Sequence, residues 1–265
     1  MANRIGVIGA GVMGEALIAA LIRSGEKPGD IAFAEKREDR AKELIARYSI
    51  NHKSIEEVAA HSSVILLVVK PQDMQTTLSD LAPRLTEGTL LISFAAGKTI
   101  ASVASIVGDK FAIVRVMPNT PALIGLGASG YSFGASVTAE QKAFVAQFLS
   151  ATGKAIEVPE ELQDAVTATS GSGPAYFFRF VEAMVDGAVA LGLSPEDAHT
   201  LTVQTIVGAA ALLDQSGDSP TTLREKVTSP NGTTAAALAS FNDSNISTIV
   251  AAAMAAAARR SQELA

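Results

Sequence analysis

The chain has 265 residues, three histidines, no cysteine, no tryptophan and a formal net charge of -6. At roughly 100–200 residues per domain, that length predicts two domains or one large one, with ample chain for a buried core. Lack of cysteine excludes disulfides, a thiol nucleophile, iron–sulfur clusters and Cys-bound zinc, and the acidic balance argues against nucleic acid, whose phosphates require clustered Lys and Arg.

Met1-Ala2-Asn3-Arg4 enters an apolar strand at once, so no signal peptide is expected. Short β-branched runs then recur at Arg4–Ile8, Ile31–Ala34, Ser63–Val69, Thr89–Phe94, Phe111–Met117, Ala128–Phe133 and Ala155–Val158. Several are apolar at consecutive positions, as parallel strands covered on both faces require. Amphipathic stretches lie between them, among them Glu38–Arg47, Met74–Leu85 and Ala139–Ala151. Such alternation predicts a doubly wound parallel sheet over residues 1–161.

No convincing strand follows Glu161. Residues 162–265 read as helices broken at Gly171-Ser172-Gly173-Pro174, Gly192–Pro195, Ser216–Pro220 and Ser229–Gly232. The first 161 residues carry 16 basic and 17 acidic side chains, the remainder only 5 and 10. Those few charges, beside 22 alanines in the same stretch, predict burial against a second copy of the chain. A compact monomeric bundle is the alternative. The last apolar stretch, Ile246 to Ala258, contains Ser247 and Thr248 and is too short to cross a bilayer. Alanine propensity, with Arg259 and Arg260 behind it, predicts a packed terminal helix. A soluble, cytoplasmic protein is expected, with no membrane partner.

Gly9-Ala10-Gly11-Val12-Met13-Gly14 follows the first strand and opens the helix Met13–Arg23. In that setting Gly9 makes the tight turn, Gly11 admits a pyrophosphate against the backbone, and Gly14 lets helix and strand approach. The first half is therefore a Rossmann-like dinucleotide-binding domain. Glu35 stands where an acid holds the ribose of NAD, but Lys36, Arg37 and Arg40 follow and could hold a 2′-phosphate, or simply be a solvated helix start. The residues alone leave NAD or NADP open. Val69-Lys70-Pro71 and Ser93-Phe94-Ala95-Ala96-Gly97 end two further strands at the same crevice, where small residues would admit a nicotinamide ribose.

Candidates for proton transfer are few. His52, His61 and His199 fall outside the strand-end loops, and no lysine occurs between Lys154 and Lys226. Tyr176 opens an apolar helix and reads as packing. An iminium substrate removes the need for a strong acid, because its nitrogen is already protonated and a hydroxyl can steady it. Hydroxyls concentrate in Thr228-Ser229-Pro230-Asn231-Gly232-Thr233-Thr234, ahead of a helix over Ala235–Phe241. That turn reads either as an anion site, with Arg224 and Lys226 nearby, or as a plain cap in which Thr233 or Thr234 is the N-cap.

These residues resemble the pyrroline-5-carboxylate reductases over nearly the whole chain. The likeness runs through Ile8–Gly14, Val68-Val69-Lys70-Pro71-Gln72, Ser93–Gly97, Arg115-Val116-Met117-Pro118-Asn119-Thr120-Pro121, Ser170–Tyr176 and, most specifically, Val227–Thr234. The resemblance implies reduction of L-1-pyrroline-5-carboxylate to L-proline, with hydride passing to the imine carbon and NADPH as cofactor (NADH as alternative). No metal is implied. It assigns cofactor contacts to Gly9, Ala10, Gly11, Val12, Met13, Gly14, Glu35, Lys36, Val69, Lys70, Pro71, Phe94, Ala95, Ala96 and Asn119. Ser229, Gly232 and Thr233 would hold the carboxylate, and Thr234 the imine nitrogen as the catalytic hydroxyl. An all-α C-terminal dimerisation domain over 162–265 is implied too, in homodimers or rings of dimers. Two departures stand out. Asn231-Gly232 replaces a Gly-Gly pair, which Asn survives by tolerating positive φ, and Glu35-Lys36 replaces the family's more usual Asn-Arg or Ser-Ser. Reduction of another cyclic imine carboxylate, and a non-catalytic NAD(P)H sensor, are the competing readings.

Overall fold

A computed structural model describes residues 4–264, so Met1–Asn3 of the leader reading and the terminal Ala265 lie outside the described residues. Eight strands form one sheet: β1 (Ile5–Ile8), β2 (Ile31–Ala34), β3 (Asn51–His52), β4 (Val64–Leu67), β5 (Leu90–Ser93), β6 (Ala112–Met117), β7 (Gly127–Phe133) and β8 (Gly153–Glu157). Their order is β3-β2-β1-β4-β5-β6-β7-β8. The seven expected strands are all present, each within a few residues of its expected bounds. The eighth, β3, was not expected: two exposed polar residues carry no apolar pattern, and they become a strand only by pairing with β2.

The helices of this part are α1 (Val12–Arg23), α2 (Glu38–Tyr48), α3 (Ile55–His61), α4 (Met74–Leu81), α5 (Ile100–Val107) and α6 (Ala139–Ser150). Consecutive strand residues feed opposite faces. Val7, Leu66, Ile92 and Val114 pack with Leu17, Leu21, Leu44 and Phe148 on one face. Ile8, Leu67, Leu91 and Ile113 pack with Val58, Leu78 and Val103 on the other. Both faces are covered, as the unbroken apolar runs require.

Within the expected doubly wound parallel sheet one pair differs: β6 and β7 run antiparallel, with Val114 opposite Phe133. Only the nine residues Pro118–Leu126 join them. A parallel return needs a crossover of a dozen or more residues.

Beyond the sheet come α7 (Gln163–Val166), a π-helical turn over Thr167–Gly171, α8 (Gly173–Ala190), α9 (Pro195–Ser216), α10 (Pro220–Lys226), α11 (Thr233–Asp243) and α12 (Ile246–Glu263). Two compact units result, one comprising Met1–Pro174 with Ala256–Ala265 and the other Ala175–Ala255. Residues 162–174 and the chain end thus pack with the sheet, although the sequence changes character after residue 161. An ionic tie explains this. Buried Arg115 on β6 lies 3.4 Å from Glu160 and 3.6 Å from Asp164, and Ser261 donates to Asp164 over 2.6 Å.

The second unit contains no core of its own. Of its residues only Ala198 and Thr202 are buried, while Phe177, Phe178 and Ile249 are 62%, 63% and 60% exposed. A self-sufficient bundle, the alternative weighed above, is therefore not formed by one chain. Among the described residues no helix is long and apolar enough to cross a membrane.

Candidate functional site: a dinucleotide cleft and a hydroxyl-rich turn

Sequence neighbours diverge in the sheet at β1, which lies between β2 and β4, so a crevice opens beyond the carboxyl ends of β1 and β4. A cleft of about 650 Å³ lies there, lined by Gly9, Gly11, Glu35, Lys36, Val69 and Lys70 of the expected residues. His52, Lys53, Ser54 and Glu57 line it as well.

The three glycines have distinct steric reasons. Gly9 has φ +91, and a Cβ on it would lie 2.9 Å from the Val68 carbonyl oxygen. At Gly14 a Cβ would lie 2.2 Å from the Gly9 carbonyl oxygen, so only glycine lets α1 start this close to β1. Gly11 meets nothing within 4 Å, which leaves its surface bare toward a ligand. It is also the N-cap of α1 and offers no side chain, so the first-turn N–H groups point outward unpaired, ready for a pyrophosphate. The residues present fit a dinucleotide.

Ala10, between those glycines, is gripped from both sides. Its N–H donates to Glu35 Oε2 at 3.2 Å, and its carbonyl accepts from Arg40 Nε at 3.1 Å. Arg40 is buried and also donates to Glu15 and Glu43; Arg47 and Tyr48 donate to Glu15. Burial alone would raise the pKa of Glu15, but the hydrogen bonds of Arg40 and Tyr48, with the Arg40 charge and Arg47, outweigh it and hold the carboxyl below its usual range. This corrects the expectation for Arg40. Its guanidinium is enclosed beneath the loop and cannot turn to a 2′-phosphate.

The remaining expected contacts divide. Ala10 is fully buried and Val12 is 63% exposed at the start of α1, with Met13 half-buried beside it. Pro71 begins a short 3-10 turn after Lys70. Phe94 and Ala95 are buried and Ala96 is half-buried at the end of β5. The small size of Gly97 serves the chain end, because a Cβ there would meet Leu264 Cβ and the Ser261 carbonyl oxygen at 2.7 Å. Asn119 is buried, with its carboxamide engaged: Oδ1 accepts from Ala128 N at 2.9 Å and Nδ2 donates to the Ser170 carbonyl at 3.1 Å.

His52 was expected away from any site. Instead β3 brings it into the cleft wall, where Nε2 lies 3.1 Å from the Glu35 carbonyl oxygen and the ring packs 5.1 Å from Phe33. His61 and His199 are exposed, as expected. The sequence held no signal for His52, because its strand has no pattern. Nor did it for the Glu15–Arg40 pair, whose members stand 25 positions apart.

The hydroxyl-rich turn belongs to the second unit. Asn231 sits at φ +60, the left-handed conformation expected of it. The cap expectation is corrected: Gly232 is the N-cap of α11, with no side-chain cap, and Thr233 and Thr234 are its first two helical residues. A Cβ at Gly232 would lie 2.4 Å from Ser229 Oγ, so glycine is what allows that hydroxyl to lie over the helix start. Among the described residues the Thr233 and Thr234 hydroxyls make no hydrogen bond. Lys226 is held by Asp218 at 2.6 Å, and Arg224 is exposed. Among the described residues no group of three or more His, Asp or Glu side chains could hold a metal ion.

Residues 160–264 match a protein-family model described as pyrroline-5-carboxylate reductase dimerisation, and residues 4–97 one described as NADP oxidoreductase coenzyme F420-dependent. The chain is 44% identical over 264 residues to a pyrroline-5-carboxylate reductase of Pseudomonas aeruginosa, covering 99% of this chain and 97% of that relative. Among solved structures, a pyrroline-5-carboxylate reductase from Coxiella burnetii superposes with a TM-score of 0.92 at 33% identity, over 100% of this chain and 99% of that one. A pyrroline carboxylate reductase of Plasmodium falciparum with NADP bound gives 0.90 at 31% identity, over 99% and 98%. The dimerisation match falls on the helical half whose apolar side chains one chain leaves uncovered, and assigns oligomerisation to it. With its α/β first half, its helical second half and relatives alike from end to end, this chain belongs to the pyrroline-5-carboxylate reductase family.

Proposed function

We propose that the chain reduces L-1-pyrroline-5-carboxylate to L-proline, the last step of proline biosynthesis, using NADPH or, in its place, NADH. The observation that carries the substrate assignment is the bare start of α11. Gly232 leaves the first-turn N–H groups uncapped, and unengaged hydroxyls stand beside them. Such a turn holds a carboxylate through backbone N–H groups, here those from Thr233 onward, since the Gly232 N–H already donates to the Ser229 carbonyl at 3.0 Å, with the Ser229 hydroxyl closing over them. The Thr234 hydroxyl oxygen then accepts from the iminium N–H and keeps the ring in register. When bound, the dinucleotide supplies the hydride that reduces the C=N carbon. Gly9, Gly11 and the start of α1 would hold its pyrophosphate, with Val69 and Lys70 in the cleft wall beside it.

The test is loss of absorbance at 340 nm when purified protein meets racemic pyrroline-5-carboxylate and either cofactor, with proline identified as product. No loss with this imine but loss with a six-membered homologue would transfer the assignment to that ring. Cofactor binding without consumption, for every imine tried, would make the chain a sensor. Thr234→Ala should lower turnover at least about tenfold, some 1.4 kcal/mol of transition-state stabilisation. An unchanged kcat would remove Thr234 from its role.

The functional division proposed here runs 1–161 for the dinucleotide and 162–265 for substrate and association, in a homodimer in the cytoplasm, with rings of dimers as the larger form. The uncovered apolar helices support it. Light scattering at micromolar concentration should give a multiple of the 27.3 kDa chain mass. A particle of that mass alone would refute it.

A further inference from the structure

We infer that Glu35 decides which dinucleotide the cleft prefers, and that it makes the chain bind NADH at least as tightly as NADPH. The inference rests on the reading that this cleft holds a reduced nicotinamide dinucleotide. It departs from the NADP named for the Plasmodium structure and for the matched family model.

Glu35 follows β2, where an acid meets the adenosine ribose in dinucleotide folds. Its carboxylate is fixed in place. Oε2 accepts from Ala10 N at 3.2 Å, Oε1 accepts from Arg37 N at 3.0 Å, and the backbone carbonyl meets His52 Nε2 at 3.1 Å. Each carboxylate oxygen keeps a second acceptor position, and the residue lines the cleft. A 2′-hydroxyl can donate to such an oxygen. A 2′-phosphate, with between one and two negative charges near neutral pH, brings no proton to spare and meets a fixed negative charge.

The cations that would offset that repulsion are largely engaged. Arg40 lies enclosed with Glu15, and Lys53 faces Glu57 at 3.4 Å. Arg37 does not line the cleft, whereas Lys36 and Lys70 line it with no ion pair among the described residues, and of these two Lys36 is the one next to Glu35 in the chain. One lysine beside one carboxylate leaves this corner without the net positive charge that selects a phosphate.

The test is direct binding, by titration calorimetry, of NADH and NADPH and of the fragments 5′-AMP and adenosine 2′,5′-bisphosphate. Wild type should bind NADH no more weakly than NADPH. Glu35→Gln keeps an acceptor for Ala10 N while removing the charge. It should tighten NADPH and the bisphosphate about tenfold, or 1.4 kcal/mol, relative to NADH and 5′-AMP. The inference is overturned if wild type binds NADPH measurably tighter than NADH, or if Glu35→Gln leaves the ratio unchanged. Because the fragments carry no nicotinamide, the two readings separate. The expected ratios without pyrroline-5-carboxylate reduction would sink the proposed function alone, and reduction with NADPH strongly preferred would sink this inference alone.

Discussion

An Arg40→Met chain should be less stable than wild type by about 3 kcal/mol, a fall in melting temperature of roughly 6–12 °C for a protein of this size. The reason is the carboxylate left behind. Arg40 and Glu15 are both about nine-tenths buried, and removing one partner strands the other charge away from water. Arg47 and Tyr48 still reach Glu15, which keeps the loss toward the lower end for a broken buried pair. The Ala10 carbonyl loses its donor too, so dinucleotide affinity should fall with stability. Neutralising the stranded charge in the double variant Glu15→Gln/Arg40→Met should restore part of the loss. A melting temperature unchanged in Arg40→Met would show that the pair contributes nothing.

The same pair gives a pH dependence of definite sign. The native pKa of Glu15 lies below its unfolded value, so its contribution is complete above the ordinary glutamate range. That contribution disappears as the pH falls through the lowered native value. Urea denaturation should therefore show the gap between wild type and Arg40→Met narrowing below about pH 4. A gap that stays constant or widens there would place the stabilisation elsewhere.

Substitutions at two glycines three residues apart should fail in opposite ways. Gly11→Val should keep the melting temperature within about 2 °C, since no atom lies within 4 Å of the new Cβ and φ is -66 there. The side chain then stands over the uncapped start of α1, and dinucleotide affinity should drop at least about 100-fold, or 2.7 kcal/mol. Gly14→Ala should instead damage the fold itself, because its Cβ would meet the Gly9 carbonyl oxygen at 2.2 Å and neither backbone can yield. Comparing melting curves with cofactor titrations for the two variants checks both statements. Full affinity in Gly11→Val would move the pyrophosphate away from this loop.

Much of this arrangement is written in local sequence. The strand–helix alternation, the glycine turn at the end of β1, and the change to sparse charge after residue 161 each follow from nearest-neighbour rules of periodicity and turn geometry. The Asn231 turn belongs with them, because tolerance of positive φ is a property of one residue. Even the need for a second copy could be read from five basic and ten acidic side chains over 104 residues, too few to solvate every helix face.

Other features depended on residues distant in the chain meeting in space. Arg40 looked like a phosphate ligand until folding placed it under Ala10 and against Glu15, 25 positions away. His52 had no pattern to mark it, and became part of the cleft only when two polar residues added a strand to the sheet edge. The short β6–β7 link forced an antiparallel pair that strand propensity could not foresee. Arg115, Asp164 and Ser261 drew the chain end back to the first unit across the apparent domain boundary. Propensity and periodicity act over a few residues and so survive in one-dimensional form, whereas charge pairing and strand pairing are settled by which surfaces a packed chain brings together.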